Sequence, residues 1–224
     1  MKENLWPDNI SEAREIQRAL KEKVKIAPLK KVPQFIAAAD AAFSGDLVCA
    51  AASLYKLPAL AHLLDVFSET RASMNYMPGL LAFREGKAVI DAIKKLAVSP
   101  DIILIDGQGI AHPEGIGIAS HIGVVLNIPT VGCAKSRLVG EYQEPGPAKG
   151  KWSYLFYLGA KVGAVLRTRT DVRPVFVSPG HLMDIESSVE IVMKCVTDYR
   201  IPEPLRMADR LSKNMKRDYQ EGLR

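Results

Sequence analysis

The amino-acid sequence predicts an α/β protein whose central β-sheet contains both parallel and antiparallel strands. The run Ile102–Ile105 is short, branched and uninterrupted, which is typical of a strand buried on both faces of a mainly parallel sheet. A similar run at Thr130–Ala134 follows a predicted helix at Ile118–Leu126. Nearer the N-terminus, two apolar runs flank the turn at residues 44–46, and this pattern predicts a β-hairpin.

The first part of the chain adds a helix and a third strand to this hairpin. Residues 9–12, Asn-Ile-Ser-Glu, have the spacing of a helix capping box, so we expect an amphipathic helix that continues to about Lys23. The two hairpin strands cover residues 35–43 and 47–55. Residues 60–70 fit either a helix or a strand. Because they adjoin the hairpin, we favour the third strand of an antiparallel meander.

The second half of the chain predicts another hairpin, a short strand and two helices. Residues 154–167 form the hairpin around a glycine-containing turn, and we expect its basic end, with Arg167 and Arg169, to follow a polyanionic backbone. Residues 175–178 predict a strand, and a helix is expected to begin after a cap near Asp184. The last predicted helix follows two prolines and is rich in lysine and arginine.

Length and composition indicate one domain covering residues 1–224. The chain is 48% hydrophobic, enough for a sizeable core, and no repeat, low-complexity tract or shift in composition divides it. Its 30 Lys and Arg residues exceed its 25 Asp and Glu residues, which gives a net charge of +5. This balance favours a polyanionic partner without requiring one.

Cysteine usage and hydropathy both indicate a soluble, cytoplasmic protein. The three cysteines, Cys49, Cys133 and Cys195, lie in apolar contexts and form no C-x-x-C pair, so we expect buried free thiols in a reducing compartment. No run approaches the roughly 18 consecutive apolar residues of a membrane span. We therefore expect no membrane partner.

Four acidic residues occupy positions where a carboxylate is costly to bury unless a partner compensates its charge. Asp40 lies inside an apolar strand. Asp106 follows the Ile102–Ile105 strand, at the sheet edge where ligands bind in α/β folds. Glu85 projects from the apolar stripe of a predicted helix, and Asp209 lies on one face of the last helix.

This set of residues is suited to metal-dependent phosphoryl transfer. Several carboxylates without a His/Cys cluster suit Mg²⁺ or Mn²⁺ rather than zinc. A pair of such ions stabilises the attacking and leaving oxygens of an in-line displacement, as in nucleases. Lys135, directly after the Thr130–Ala134 strand, is placed to neutralise a phosphate oxygen, with a solvated surface lysine as the alternative. Periodicity alone leaves open whether the four acids converge.

Two loops and one histidine carry residues suited to nucleic acid. Tyr76 lies beside the turn Pro78-Gly79, where an exposed ring would stack on an unpaired base; packing on the core rim is an equal alternative. The second loop is rich in glycine, which lets the backbone approach a ligand closely, but it lacks the G-x-G-x-x-G spacing of dinucleotide sites. Its glycines are Gly107, Gly109, Gly115 and Gly117. His181 is a candidate for orienting a phosphate or a water molecule, or an ordinary structural histidine.

Ordered motifs from about Asn9 to the last helix carry a resemblance to a known family. They are Ala-Asp at residues 39–40, YMPGLLAFRE at 76–85, DGQGIAHP at 106–113, GIGIASH at 115–121, GCAKS at 132–136, VSPGH at 177–181 and PLRMAD at 204–209. In these motifs the chain resembles the endonuclease V, or deoxyinosine 3′ endonuclease, family. The number and order of the motifs make chance agreement an inadequate explanation.

The resemblance implies a fold and a reaction. The fold is RNase H-like, with a mixed central sheet whose first three strands form a meander and with helices on both faces. The reaction is Mg²⁺-dependent hydrolysis of the second phosphodiester bond 3′ to a deaminated base, chiefly deoxyinosine in DNA, leaving 3′-hydroxyl and 5′-phosphate ends. Asp40, Glu85 and Asp106 match the family's metal ligands. Asp209 matches a fourth position that is Asp or His among relatives.

The resemblance also implies roles for the loops. Tyr76, before Pro78, matches a wedge that fills the space left by an extruded base, and the loop with Gly107, Gly109, Gly115 and Gly117 matches part of a hypoxanthine pocket. Lys135 matches a lysine near the scissile phosphate, and His112 matches an active-site histidine. Asn75 stands where the family usually has proline. This change frees the segment that presents the wedge, so we expect an effect on lesion selectivity more than on catalysis.

The sequence is also compatible with functions other than that of a DNA repair endonuclease. The same site would serve an endoribonuclease specific for inosine in RNA, and nothing in the sequence separates the two substrates. A non-catalytic nucleic-acid-binding protein would need only the basic last helix, but such a protein has no need of repulsive carboxylates beside phosphates. A small-molecule phosphohydrolase would leave the Tyr76 loop and the positive charge unexplained. We expect the protein to act as a monomer.

Overall fold

The structure, a computed structural model, describes residues 5–222 and consists of five helices and eight strands in this range. The helices are α1 (Ile10–Lys21), α2 (Leu81–Ile93), α3 (Ile118–Leu126), α4 (Ile185–Lys194) and α5 (Glu203–Gln220). The strands are β1 (Phe35–Ser44), β2 (Leu47–Lys56), β3 (Ala61–Arg71), β4 (Ile102–Ile105), β5 (Thr130–Ala134), β6 (Trp152–Tyr157), β7 (Ala160–Leu166) and β8 (Val175–His181). Within residues 5–222, no helix is both long and apolar enough to cross a membrane.

The strands form one mixed sheet in the order β3-β2-β1-β4-β5-β8-β7-β6. β1, β2 and β3 pair antiparallel as a meander, β1, β4 and β5 pair in parallel, and β8, β7 and β6 complete the sheet with antiparallel pairs. The segment that fitted either a helix or a strand is β3, because it pairs along its length with β2. The predicted mixed sheet and meander are confirmed.

Helices cover both faces of the sheet, as predicted, and enclose two hydrophobic layers. α2 and α3 pack on the face that carries Ile103 and Ile105, whereas α4 and α5 pack on the face that carries Ile102 and Leu104. Successive residues of a strand point to opposite faces, so both faces of β4 are buried and all its side chains are apolar. We call these the α2/α3 face and the α5 face.

Strand β8 is longer than the predicted strand at residues 175–178 and continues to His181. Pro179 has no N–H to donate, but the strand tolerates it because β7 pairs with β8 only as far as Val177. The carbonyl oxygen of Pro179 accepts a hydrogen bond from the N–H of Ile110 at 2.8 Å. This bond ties the glycine-rich loop after β4 to β8.

Arg167 has a structural role, and the expectation that it follows a polyanionic backbone is wrong. The residue is only 8% exposed. Its guanidinium donates to Glu144 Oε1 at 2.6 Å and to three backbone carbonyl oxygens. A buried guanidinium needs such partners for its N–H donors. Here these bonds hold the loop beside β7 in place. Arg169 is exposed.

A buried histidine fastens the N-terminal segment to the α2/α3 face. His121 of α3 is 1% exposed; Trp6 stacks on its ring with centroids 5.5 Å apart, and Phe83 meets the ring edge-on at 4.9 Å. Its Nε2 has no hydrogen-bond partner within residues 5–222. Burial therefore lowers the pKa of His121 from 6.5 to about 4, since the cation cannot be hydrated there.

The lowered pKa predicts that His121 makes stability depend on pH. The unfolded chain binds a proton at His121 near pH 6.5 but the folded chain only near pH 4, so stability is lost as the pH falls through this range. The loss from this residue should be about 2 kcal/mol at pH 5 relative to neutral pH. Denaturant unfolding of the wild type and His121→Phe at both pH values measures it. Equal changes in unfolding free energy in both proteins would contradict the prediction.

Candidate functional site

Strand pairing brings Asp40 and Asp106 to the same edge and the same face of the sheet. Parallel pairing places Ala39 of β1 opposite Ile105 of β4, so the following residue of each strand is an aspartate. Asp106 follows Leu104, a residue of the α5 face, by two positions, and alternation directs it to that face. Asp40 reaches the α5 face by the same alternation within β1.

Asp209 completes an acidic cluster from the helix that covers this face. One carboxylate oxygen from each of Asp40, Asp106 and Asp209 lies within 4.8 Å of the others, and all three residues are partly buried. Such a spacing allows one cation to contact all three residues. An all-oxygen donor set fits Mg²⁺ or Mn²⁺ better than zinc. The convergence of these acids, left open by periodicity, is therefore a feature of the fold.

The pKa of Asp40 shows how strongly the negative charges of the cluster repel one another. Burial, and then the charges of Asp106 and Asp209, raise the pKa of Asp40 from 3.8 to about 7, while Lys135 opposes the shift. The hydroxyl of Ser212, one turn beyond Asp209 on α5, donates to Asp40 Oδ2 at 3.3 Å. A bound cation would offset this repulsion, so the electrostatics of Asp40 fit a metal ligand.

Glu85 approaches the cluster from the α2/α3 face. It lies on α2 with only 7% exposure, as its place on the apolar stripe of that helix predicts. Burial, followed by the charges of Asp40 and Asp106, raises the pKa of Glu85 from 4.5 to about 8. Within residues 5–222, its carboxylate is not one of the group that lies within 4.8 Å. Glu85 is thus an electrostatic neighbour of Asp40 and Asp106, and in this geometry it is not a member of the cluster.

Lys135 ties two of the aspartates together. Its Nζ donates to Asp106 Oδ2 at 2.6 Å and to Asp209 Oδ1 at 3.1 Å. Partial burial lowers the pKa of Lys135, but the hydrogen bonds and charges of the two carboxylates outweigh it and raise the pKa above its usual value. Lys213 makes a second bond to Asp209, at 2.7 Å. The lysine that follows β5 is therefore held as a cation inside the acidic cluster.

A small cavity opens beside the cluster, among the glycine-rich loop, α2 and the segment after β5. Its volume is about 200 Å³. It is lined by Gln17, Gly79, Leu81, Ala82, Gly107, Gln108, His112, Ile116, Gly117, Ile118, Ala134, Ser136, Arg137 and Leu138. We call it the loop cavity. Six of these lining residues are Gly, Ala or Ser, so a ligand could approach the backbone closely at those positions.

The remaining loop glycines serve the fold around the loop cavity. Gly109 donates its N–H to Ser178 Oγ at 2.7 Å, and a Cβ there would lie 1.9 Å from the carbonyl oxygen of Pro179. Gly115 adopts a φ of +71° in the turn before α3. His112 is 6% exposed, and its Nδ1 accepts from the N–H of Glu114 at 3.2 Å. Burial lowers the pKa of His112, so its neutral form is favoured.

Comparison with known proteins decides the family. A sequence model described as Endonuclease V matches residues 18–210. The chain belongs to the endonuclease V family. It is 44% identical to the "Endonuclease V" of Geotalea uraniireducens over 98% of this chain and 93% of that protein. Endonuclease V proteins are nucleases. The acidic cluster of this chain is of the kind that metal-dependent nucleases use.

Solved endonuclease V structures share the fold of this chain. The Streptomyces avermitilis protein superposes with a TM-score of 0.92 at 35% identity, covering 96% of each chain. The Ciona intestinalis endonuclease V, in complex with DNA containing an inosine followed by a ribo-adenosine, superposes with a TM-score of 0.80 at 26% identity, covering 93% of this chain and 97% of that one. The endonuclease V fold is RNase H-like, and the predicted fold class is confirmed.

In this endonuclease V chain, Tyr76 is presented to solvent on an anchored loop. Its side chain is 58% exposed, so the alternative of packing on the core rim does not apply. Met74 and Met77 on either side pack against a buried cluster that includes Leu80 and Phe83. The two methionines therefore anchor the loop on either side of Tyr76. Pro78 is also exposed.

His181 and Gln17 are buried residues with structural contacts. His181 is 3% exposed, and its Nδ1 accepts from the N–H of Lys25 at 3.2 Å, which speaks against a direct contact with DNA. Gln17, overlooked in the sequence, donates to the carbonyl oxygen of Gly79 at 2.8 Å and joins α1 to the loop cavity. Its position four residues after the buried Ala13 was the available signal.

Proposed function

We propose that this protein is a DNA repair endonuclease that recognises deaminated bases, chiefly deoxyinosine, and hydrolyses the second phosphodiester bond 3′ to the lesion. The products would carry 3′-hydroxyl and 5′-phosphate ends. The observation that carries the proposal is that Gly107, the residue after Asp106 of the acidic cluster, lines the loop cavity. One strand can therefore place a base in the cavity and a nearby phosphate at the cluster.

We propose Mg²⁺, with Mn²⁺ as a substitute, as the cofactor. Asp40, Asp106 and Asp209 would hold it, with Glu85 joining them after a movement of its side chain. When bound, the ion would polarise the phosphate and lower the pKa of a coordinated water. The chain itself supplies the Lys135 cation, which is held beside Asp106 and would offset the negative charge of a phosphate bound there. His112, favoured in its neutral form, would contact the substrate at the cavity wall.

The loop residues are proposed to recognise the extruded base. Inside the loop cavity, the backbone of Gly107 would meet the edge of hypoxanthine, while Gly117, whose N–H donates to the carbonyl oxygen of Gly109, would close the wall beside it. The loop that contains Gly109 and Gly115 keeps this wall in position. Tyr76, exposed before Pro78, is proposed to stack in the space that the base leaves, since aromatic rings stack on bases without sequence preference. His181 is proposed to act indirectly, by supporting the fold behind the site.

Inosine in RNA is the second candidate substrate. One observation on a relative favours this substrate. The DNA bound by the Ciona protein has a ribo-adenosine after the inosine. A non-catalytic nucleic-acid-binding role is less favoured because the acidic cluster would repel phosphates. We further propose that residues 1–224 form one domain that acts as a cytoplasmic monomer. Cys133 and Cys195 are buried and form no disulfide, which suits a reducing compartment.

Cleavage-site mapping tests the proposed function. Matched DNA and RNA duplexes with one inosine would be incubated with the protein, with and without Mg²⁺, and the products resolved at single-nucleotide resolution. We expect Mg²⁺-dependent incision at the second bond 3′ to inosine in DNA and none in a duplex without inosine. Faster incision of the RNA duplex would favour the endoribonuclease. Incision at any other bond, or none in either duplex, would overturn the proposal.

A further inference from the structure

A second cavity lies beside α5, and Asp209 of the acidic cluster contributes to its lining. It has a volume of about 290 Å³, and its lining includes Lys135, Arg206, Met207, Asp209 and Arg210. Met207 packs on the hydrophobic layer of the α5 face, whereas the Ile118 wall of the loop cavity belongs to the α2/α3 face. The two cavities therefore open on opposite faces of the sheet edge, and Asp209 of the acidic cluster lines the second one. We call the second one the α5 cavity.

A stripe of basic side chains continues from the α5 cavity along the helix. Arg206, Arg210, Lys213 and Arg217 are spaced by four, three and four residues. At 100° per residue, these positions share an arc of about 60° over an axial length of about 16 Å. Each strand of B-form DNA carries a phosphate every 3.4 Å of axis, so this length accompanies about five phosphates.

The first two arginines of the stripe differ in their contacts: Arg206 is paired with Glu203, whereas Arg210 is placed to meet an anion. The guanidinium of Arg206 lies 3.4 Å from the centre of the Tyr199 ring, and its Nε donates to Glu203 Oε2 at 3.1 Å, so its position is fixed. Arg210 is exposed and contacts the sulfur of Met207 at 2.8 Å. Within residues 5–222, Arg210 forms no ion pair with a carboxylate. Its charge is therefore available to a ligand.

The positions of the two cavities indicate which part of the substrate strand the basic stripe would contact. In the proposed reaction the lesion base, in the loop cavity, lies 5′ to the bond that is cleaved at the aspartates. The strand that leaves the aspartates on the α5 face is then the 3′ segment. We propose that the α5 cavity and the basic stripe bind the phosphates on the 3′ side of the cleaved bond, in the segment that becomes the 5′-phosphorylated product. This inference rests on the proposed function.

The test varies the length of the 3′ segment. Inosine-containing duplexes with a constant 5′ part, extending two, four or eight nucleotides beyond the cleaved bond, would be cleaved under single-turnover conditions at several salt concentrations. For the wild type, we expect the enzyme concentration at half-maximal rate to fall about tenfold between the shortest and the longest duplex. Arg210→Gln should remove most of this gain and lower the salt slope by about 0.9.

Two further variants separate the stripe from a general effect of charge. Arg217→Gln, at the far end of the stripe, should weaken binding of the longest duplex only. Lys56→Gln removes one exposed charge at the end of β2, where it pairs with Phe35 at the start of β1, away from the aspartates. This control should behave like the wild type.

The outcomes distinguish this inference from the function on which it rests. A wild type that cleaves inosine duplexes with no dependence on 3′ length, or an Arg210→Gln variant indistinguishable from Lys56→Gln, would overturn the inference and leave the function standing. A wild type that cleaves no inosine duplex of any length would overturn both.

Discussion

Replacing Asp106 with Ala is expected to reduce Mg²⁺-dependent cleavage of an inosine duplex by about 10³-fold or more. Asp106 belongs to the acidic cluster with Asp40 and Asp209 and accepts the hydrogen bond of Lys135 at 2.6 Å, so its loss would remove both a proposed metal ligand and a contact that positions the lysine. Single-turnover cleavage measures the rate. Binding of the same duplex should survive, because the change removes one negative charge beside the phosphates.

The fold should tolerate this substitution. The Asp106 charge is among the causes that raise the pKa values of Asp40 and Glu85, so its removal relieves repulsion in the native state. We therefore expect a thermal midpoint at or above that of the wild type. Asp91→Ala, which breaks only the surface pair with Lys87 on α2, is the matched control and should cleave normally. Cleavage by Asp106→Ala at a rate near that of the wild type would refute the role of the cluster.

Gly109→Ala is expected to destabilise the protein by about 3 kcal/mol and to abolish recognition of inosine. The added Cβ would lie 1.9 Å from the carbonyl oxygen of Pro179 and 2.8 Å from that of Ser178. Both are backbone atoms of β8 and cannot rotate away, so the glycine-rich loop must move. The Gly107 and Gly117 walls of the loop cavity would move with it. Denaturant unfolding and the ratio of cleavage of inosine to undamaged duplexes measure the two effects.

Gly146→Ala provides the control for this prediction. A Cβ at Gly146 would meet only the side chain of Lys151, at 3.5 Å, which is ordinary contact. This variant should retain stability and selectivity. Wild-type stability in Gly109→Ala would show that the loop and β8 are less closely packed than the structure describes.

Much of the fold was predictable because its elements have local signals. The bounds of β4, α3 and β5 match the prediction, since each is an apolar segment with turn residues at its ends. The capping residue Asn9 accepts from the N–H of Glu12 at 2.9 Å, as the capping box predicts. The end of β8 was misjudged because Pro179 is normally a strand breaker. Whether a strand accepts proline depends on where its neighbour stops pairing, and that is a property of the sheet.

The sequence indicates the candidate site residues but not the distances between them. A carboxylate in an apolar strand, such as Asp40, or on the apolar stripe of a helix, such as Glu85, is conspicuous because burial of a charge is costly. The basic end of the second hairpin led to a wrong prediction for Arg167, because the sequence does not show which arginines are buried. Arg167 is as basic in sequence as any surface arginine, but tertiary contacts with Glu144 and backbone carbonyls bury it.

The sequence by itself determined the α/β class, the meander, the family resemblance and the acidic residues, because periodicity, turn chemistry and buried charge are local properties. Only the tertiary structure decided which acids meet. Parallel pairing of β1 with β4 aligns Asp40 with Asp106, and the packing of α5 on the same face adds Asp209, while Glu85 remains outside the 4.8 Å group of described residues. Distances between residues far apart in the chain depend on register and helix packing, which no local pattern contains.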